Sequence, residues 1–214
     1  MLTLLHDDTA LVAVAKPEGL ATVPERNAPA ECVRAQLEAQ LGARVLAVHR
    51  LDKPVSGVVV FARSPESHRA LSGQFERHET RKTYLALVHG FVADDEGGSD
   101  APLREFGSGR TAVDPAGRPC RTRWRVLLRL PSATLLAVQP HTGRRHQIRA
   151  HLYAAGHPVA GDLLYGERAE QQRWPRLMLH AARLELVHPT DGRPLQLDAP
   201  TPESFEAVMR SAGA

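Results

Sequence analysis

Asp52 stands in His49-Arg50-Leu51-Asp52-Lys53, a polar, cationic centre between apolar runs at 45–48 and 57–61. Both runs carry β-branched residues and read as strands. Pro54 restricts the residue before it to extended or turn geometry. Ser56-Gly57 then frees the backbone before the second strand. A carboxylate held at a strand end by a rigid turn can act as a nucleophile or a general base. A turn-capping Asp paired with Arg50 or Lys53 would leave the same pattern, and local spacing does not separate the two.

A second constellation is HTGRRHQIRAHLYAAGHP, at 141–158. A helix over 145–155 would set His146, Arg149 and Tyr153 near one face by three- and four-residue spacing. Ile148 and Leu152 would share another face and pack inward. Arg149 could pair with a buried carboxylate and keep it ionised; the alternative is a solvated cationic helix face. Tyr84, in RKTYLALVHG, is one of three tyrosines. On a strand it shares a face with Lys82 and Ala86. It could stack on a base or move a proton, or pack with its hydroxyl at the rim.

Other chemistries lack their signatures. His146 and His151 are not an i,i+4 pair, and no His-Glu-x-x-His occurs. Two distant cysteines, Cys32 and Cys120, do not suggest a thiolate zinc site, so no metal is expected. The glycine patterns of dinucleotide and P-loop sites are absent, and FGSGR at 106–110 is too short for either. No Gly-x-Ser-x-Gly elbow marks a serine hydrolase.

The elements that must position these groups come from a chain of 214 residues, 43% hydrophobic and 24% charged, a soluble globular composition. Aromatics make up only 5%, so the core must rest on Leu, Val and Ala. Strands are expected at 2–5, 11–15, 45–48, 57–61, 83–88, 177–187 and 195–197, with a hairpin of 121–130 and 134–138 through Pro131-Ser132. Helices are expected at 29–41, from the Ser64-Pro65 start to about residue 78 with Ala70, Leu71 and Phe75 inward, at 145–155, and at 202–209 with Phe205 and Met209 aligned. Strands outnumber helices without regular alternation. That pattern predicts an α+β fold with a mixed, mainly antiparallel central sheet flanked by helices and loops. A single domain over 1–214 is expected.

Positive charge exceeds negative by three (27 − 24). Five arginines and no acid lie in 117–129, and three more arginines in 141–151. Asp94, Asp95, Glu96 and Asp100 gather in a Gly-rich stretch that reads as an exposed loop. Such clusters suit a polyanionic partner. The cysteine usage fits a cytoplasmic protein. With no apolar run of 18 residues and no signal-like start, membrane insertion and secretion are not expected.

Three segments together carry a family likeness. HRLDKPVSG (49–57), RKTYLALVHG (81–90) and HTGRRHQIRAHLYAAGHPVAGDLLYG (141–166) resemble the three active-site motifs of the RluA-type pseudouridine synthases. Residues 4–26 resemble that family's first strand pair and Lys-Pro-x-Gly turn, and 176–192 its closing strand. The resemblance implies the pseudouridine synthase fold and cofactor-free isomerisation of a uridine in structured RNA, of the ribosome, of tRNA, or both. It implies that Asp52 is the essential aspartate, acting at ribose C1′ as nucleophile or at the 2′ position as base. Tyr84 matches the pocket tyrosine, Arg149 the arginine that pairs with the aspartate, Arg50 the residue that fills the gap of a flipped nucleotide, and Ile148 an apolar neighbour of the base. Arg144, Arg145 and His146 lie beside these as substrate-binding candidates. Val55 and Arg145 depart from the family's usual Thr and Thr or Ser.

The motifs begin within the first dozen residues, so no N-terminal S4 domain is expected, nor an obligatory protein partner; a monomer is the expectation. GLATVPER resembles the RluA branch, which reads a short stem-loop. A catalytically silent RNA-binding protein on the same scaffold is the alternative.

Overall fold

A computed structural model of the chain describes residues 1–25, 31–107 and 109–212. In chain order come β1 (Thr3–Asp7), β2 (Leu11–Lys16), α1 (Val33–Leu41), β3 (Leu46–Ala47), β4 (Ser56–Ala62) and α2 (Pro65–Glu76). Then follow β5 (Arg81–His89), β6 (Glu96–Ser99), β7 (Leu103–Glu105), β8 (Thr111–Val113), β9 (Thr122–Arg129) and β10 (Ala133–Pro140). The chain closes with α3 (Gln147–Ala154), α4 (Arg168–Gln171), β11 (Leu179–Val187), β12 (Pro194–Asp198) and α5 (Glu203–Ala212). The architecture is α+β, a mixed and mainly antiparallel sheet arrangement with helices packed on it, as expected from the sequence. These elements fall into two compact units, Met1–Lys82 with Ala181–Thr201, and Thr83–His180 with Pro202–Ala214.

In the first unit the strands run β1-β2-β4-β11-β12, with β3 also on β4. β4 is buried along its whole length. On one face Leu11, Val58, Val60, Leu184 and Leu186 meet Leu71 of α2, the period-two alternation of strands against a helix stripe. The buried residues of this cluster are thus Leu, Val and Ala. Gly57, with φ 127°, is forced: a Cβ there would collide with the Ala181 backbone. α2 begins as expected, with the Ser64 side chain accepting from the Ser67 N–H. Leu71 and Phe75 face inward as expected, Phe75 packing partly covered against the cluster. Ser67 and Gln74 are buried with them, and Ala70 is only partly covered. Gln74 bonds both the N–H (2.8 Å) and the C=O (2.7 Å) of Val187, which satisfies its amide away from water. The expected helix at 29–41 begins later, at Val33, capped by Cys32; positions 29 and 30 lie outside the described residues.

In the second unit the order is β5-β10-β9-β6, with β7-β8 a separate hairpin. The Gly-rich acidic stretch is not the loop expected. Glu96–Ser99 is an edge strand paired with β9. Glycine makes this possible, because Cβ atoms at 97 and 98 would strike the Trp124 and Arg123 side chains that lie against that edge. In α5 the buried pair is Phe205 and Val208, not Phe205 and Met209; the helix turns its i,i+3 positions inward.

His49 supplies a pH-dependent contact in the first unit. Its ring stacks on Phe75 at 4.6 Å, and its Nε2 accepts the Val60 N–H at 3.1 Å. Burial, and then the Lys82 charge, depress its pKa from 6.5 to about 3. The unfolded chain therefore takes up a proton that the folded chain refuses. Stability from this group is whole above pH 6.5 and is lost as pH falls toward 3. Melting curves from pH 7 to pH 4 should fall more steeply for wild type than for His49→Gln, which keeps an acceptor but does not titrate. Parallel curves would show that His49 does not set the acid limb.

Candidate active site

The backbone around Asp52 is held at successive points by the segment after β2. The Thr22 hydroxyl accepts the Leu51 N–H and donates to the Leu51 C=O, each at 3.1 Å. The Asp52 C=O accepts the Val55 N–H at 3.0 Å, closing a tight turn over Lys53-Pro54. The Lys53 C=O accepts from the Gly19 N–H at 2.9 Å and from Lys16 Nζ at 3.0 Å. Lys16 is itself buried, and its ammonium also donates to the carbonyls of Pro17 (2.9 Å) and Leu20 (2.5 Å). Three carbonyl dipoles thus converge on one buried cation, the kind of arrangement that offsets its desolvation. Asp52 remains partly exposed at the tip of this clamped turn. The Lys16 and Thr22 roles were not foreseen, although the Lys-Pro-x-Gly turn was.

The local-pairing alternative finds no support at Lys53, which instead pairs with Glu25 at 2.8 Å. Arg50 is exposed and makes no ion pair among the described residues. Val55 is buried, so its departure from the family pattern fills space without needing a hydroxyl. Thr22→Val should leave both polar groups of Leu51 unpaired in a buried setting. A loss of about 1–3 kcal/mol is expected in urea unfolding, with turnover falling more than KM rises. Unchanged stability and turnover would remove Thr22 from the clamp.

In the second unit His146 stands just before α3, which carries Ile148 and Arg149, and all three are buried. The solvated-helix alternative is therefore excluded for Arg149. Its guanidinium grips Asp162 through Nε (2.6 Å) and Nη2 (2.7 Å), with side-chain exposures of 4% and 0%. The Asp162 Oδ1 also accepts the Leu164 N–H at 3.0 Å and the Tyr165 N–H at 3.3 Å. Tyr165 lies beside the pair, 5.2 Å from the guanidinium carbon to the ring centre. Its hydroxyl accepts from the Thr111 N–H (2.8 Å) and donates to the Thr111 C=O (2.9 Å), tying β8 to the helix start. His146 meets the same hydroxyl through Nδ1 at 3.1 Å, from a left-handed backbone with φ 52°. Burial pushes the Tyr165 phenol up, so it stays protonated and able to donate.

Gln147 does the knitting on the other side of α3. Its Oε1 accepts from the Thr142 hydroxyl (2.6 Å) and the Arg144 N–H (3.1 Å), and its Nε2 donates to the Arg121 C=O (2.9 Å). The loop that carries Arg144 and Arg145 is thereby fixed to β9. Arg144 is half-buried, and exposed Arg145 faces Glu105 at 3.6 Å. Tyr84 sits partly exposed in β5, opposite Val138 of β10. Asp162, Tyr165 and Gln147 were missed by the sequence reading. Asp162 and Tyr165 stand inside the third motif, in GDLLYG, which was the one signal for them.

The arginines of 117–129 are less bare than their spacing suggested. Arg121 (3.1 Å) and Arg123 (2.7 Å) both meet Asp100, and Arg129 meets Asp95 at 2.7 Å. The acids and bases that are segregated in the sequence are brought together by the β6–β9 pairing. Arg118 and Arg125 remain exposed.

Comparison with known proteins places these features among relatives. Residues 10–154 match the family model described as RNA pseudouridylate synthase. The tRNA pseudouridine synthase C of Pectobacterium carotovorum subsp. carotovorum is 38% identical over 100% of this chain. The ribosomal large subunit pseudouridine synthase D of Nitrosomonas europaea is 38% identical over 98% of it. The chain spans 62% and 65% of those two proteins, less than two thirds of their length. Among solved structures, Human RNA Pseudouridylate Synthase Domain Containing 1 superimposes with a TM-score of 0.83 at 26% identity, covering 97% of this chain and 87% of that one.

Proposed function

The chain belongs to the RNA pseudouridylate synthase family, and on that premise we propose that it converts a uridine in structured RNA to pseudouridine, with Asp52 as the catalytic carboxylate. The observation that carries this reading is the turn at 51–55, where four backbone hydrogen bonds and one buried lysine aim a single partly exposed carboxylate. A carboxylate so fixed can meet ribose C1′ or its neighbouring 2′ proton without reorganising.

In this proposal the N1–C1′ bond breaks, the uracil turns, and C5 bonds to C1′. Arg149, its plane fixed by Asp162, is the motif arginine proposed to act with Asp52. Tyr84 stacks on the base and receives the C5 proton, and Ile148 provides the apolar wall. The uridine leaves its stack at a cost of a few kcal/mol, and the exposed, unpaired Arg50 suits the place it vacates. The proton lost from C5 passes to water and N1 takes one up, so the isomerisation is redox-neutral and requires no cofactor.

The substrate is a stem-loop of tRNA, of large-subunit ribosomal RNA, or of both. The names of the two bacterial relatives support that range. Mapping pseudouridine across all RNAs with and without the gene tests it; no site lost on deletion would overturn the proposal.

RNA binding draws on Arg121, Arg123, Arg125, Arg144 and Arg145, with Asp100 as an internal competitor for the first two. Replacing Arg121 and Arg123 by Gln should flatten the plot of log affinity against log salt by up to about two units. Asp100→Asn should tighten binding instead. Filter binding over a range of KCl checks both, and an unchanged slope would take these arginines off the RNA path. Among the described residues no helix is long and apolar enough to cross a membrane.

A further inference from the structure

Away from the Asp52 turn, three side chains of the first unit converge from opposite ends of the sequence. His6 lies in β1, Asp8 opens the turn to β2, and His188 follows β11. One potential ligand atom from each lies within 4.8 Å of the others. His6 Nε2 is 2.6 Å from Asp8 Oδ2, and His188 Nε2 is 2.9 Å from the same oxygen. The other Asp8 oxygen, Oδ1, accepts the N–H groups of Ala10 (2.8 Å) and Leu11 (2.9 Å). Those bonds lock the carboxylate and leave Oδ2 aimed at the two imidazoles. His188 is buried, while His6 and Asp8 are partly exposed, so one side of the cluster is open to water.

The far side of the His188 ring holds the second observation. Its Nδ1 is 2.9 Å from Asp191 Oδ1. The Asp191 N–H also approaches Nδ1, but at 3.4 Å, a weaker contact. A neutral imidazole has one N–H. If Nδ1–H is donated to Asp191, Nε2 turns a lone pair toward Asp8 Oδ2, and two acceptors face each other. Either a second ring proton or a metal ion at Nε2 removes the conflict. A histidine that binds a metal through one nitrogen and a carboxylate through the other has this arrangement.

We propose that His6, Asp8 and His188 form a binding site for a divalent transition-metal ion, zinc foremost, which pins the β1–β2 turn to the segment after β11. Two imidazoles and one carboxylate are zinc-type donors, and magnesium or calcium would call for an all-oxygen set. Water completes the tetrahedron on the open side. Tetrahedral ligands about 2 Å from zinc stand roughly 3.3 Å apart, so the two close pairs open by about half an ångström on loading. Two histidines separated by 182 positions (188 − 6) leave no spacing signal in the chain.

The test uses the full chain, stripped of metal by a chelator and titrated with zinc sulfate by calorimetry, then with cobalt for its visible spectrum. One zinc ion per chain is expected, with a tetrahedral cobalt spectrum and a higher melting temperature in zinc. His6→Gln should weaken binding more than tenfold. Asp8→Asn, which retains an oxygen for Ala10 and Leu11, should do the same. Asp191→Asn spares all three ligands and should still weaken binding by about tenfold, an effect that a purely hydrogen-bonded cluster has no means to produce. Absence of zinc binding, or binding unchanged in His6→Gln and Asp8→Asn, would overturn the site.

Discussion

Asp52→Asn is expected to abolish tritium release from RNA labelled at uridine C5, by at least about a thousandfold, while RNA binding stays within a few-fold of wild type. The physical basis is the separation of roles within the turn. Leu51, the Asp52 carbonyl and the Lys53 carbonyl are held by Thr22, Val55, Gly19 and Lys16, through main-chain atoms that this substitution leaves in place. The fold should therefore keep its melting temperature within a few degrees, and only the carboxylate charge is lost. Asp52→Ala should behave alike. A catalytically silent RNA-binding protein would show no tritium release in the wild type. Turnover within tenfold of wild type in both variants would remove Asp52 from the reaction.

The second large effect concerns Arg149. Replacing it with Met leaves Asp162 buried and without its bidentate partner. Breaking one side of such a pair costs about 3–5 kcal/mol. For a chain of this size that corresponds to a drop of roughly 10 °C or more in melting temperature. Turnover should also collapse, because the proposed partner of Asp52 is gone. The two consequences can be separated. Arg149→Met combined with Asp162→Asn removes the stranded charge, and Asn retains an oxygen for the N–H groups of Leu164 and Tyr165. The double variant should regain much of the lost stability and none of the lost turnover. Recovery of both would mean that Arg149 acts only as a structural tie. Recovery of neither would mean that the cost lies in packing against Tyr165 rather than in the stranded charge.

Asp162 also qualifies how an arginine at the third motif should be understood. The sequence suggested a carboxylate partner for Arg149 and proposed Asp52 for it by resemblance. Asp162 is a partner within the second unit itself, thirteen positions along the chain. It occupies two of the guanidinium nitrogens and so fixes the plane of the group. Any role of Arg149 toward another carboxylate is played by an arginine already oriented.

Much of the fold was legible because its causes are local. The apolar, β-branched runs at 57–61 and 11–15, the Ser64-Pro65 start of α2, and the turn at Pro131-Ser132 each express a preference that a few neighbouring residues suffice to set. The catalytic candidates came from a different source: Asp52, Tyr84 and Arg149 sit in three motifs that resemble those of one family. What local preference argued against, the tertiary structure decided. Glu96–Ser99 has the composition of a loop, yet it pairs because β9 offers an open edge and glycine lets Trp124 and Arg123 lie against it. β7 and β8, three residues each, are too short to show a period.

The partnerships that tune charge were decided by the tertiary structure as well. Asp100 reaches Arg121 and Arg123, Gln74 reaches Val187, and His188 reaches Asp8, across sequence separations that carry no signal. A sequence by itself determines which groups are available and which short segments are stiff. Which distant groups share one low-dielectric neighbourhood depends on how the sheets close. For this protein, that closure clamps the Asp52 turn through Thr22 and Lys16 and binds Arg149 to Asp162.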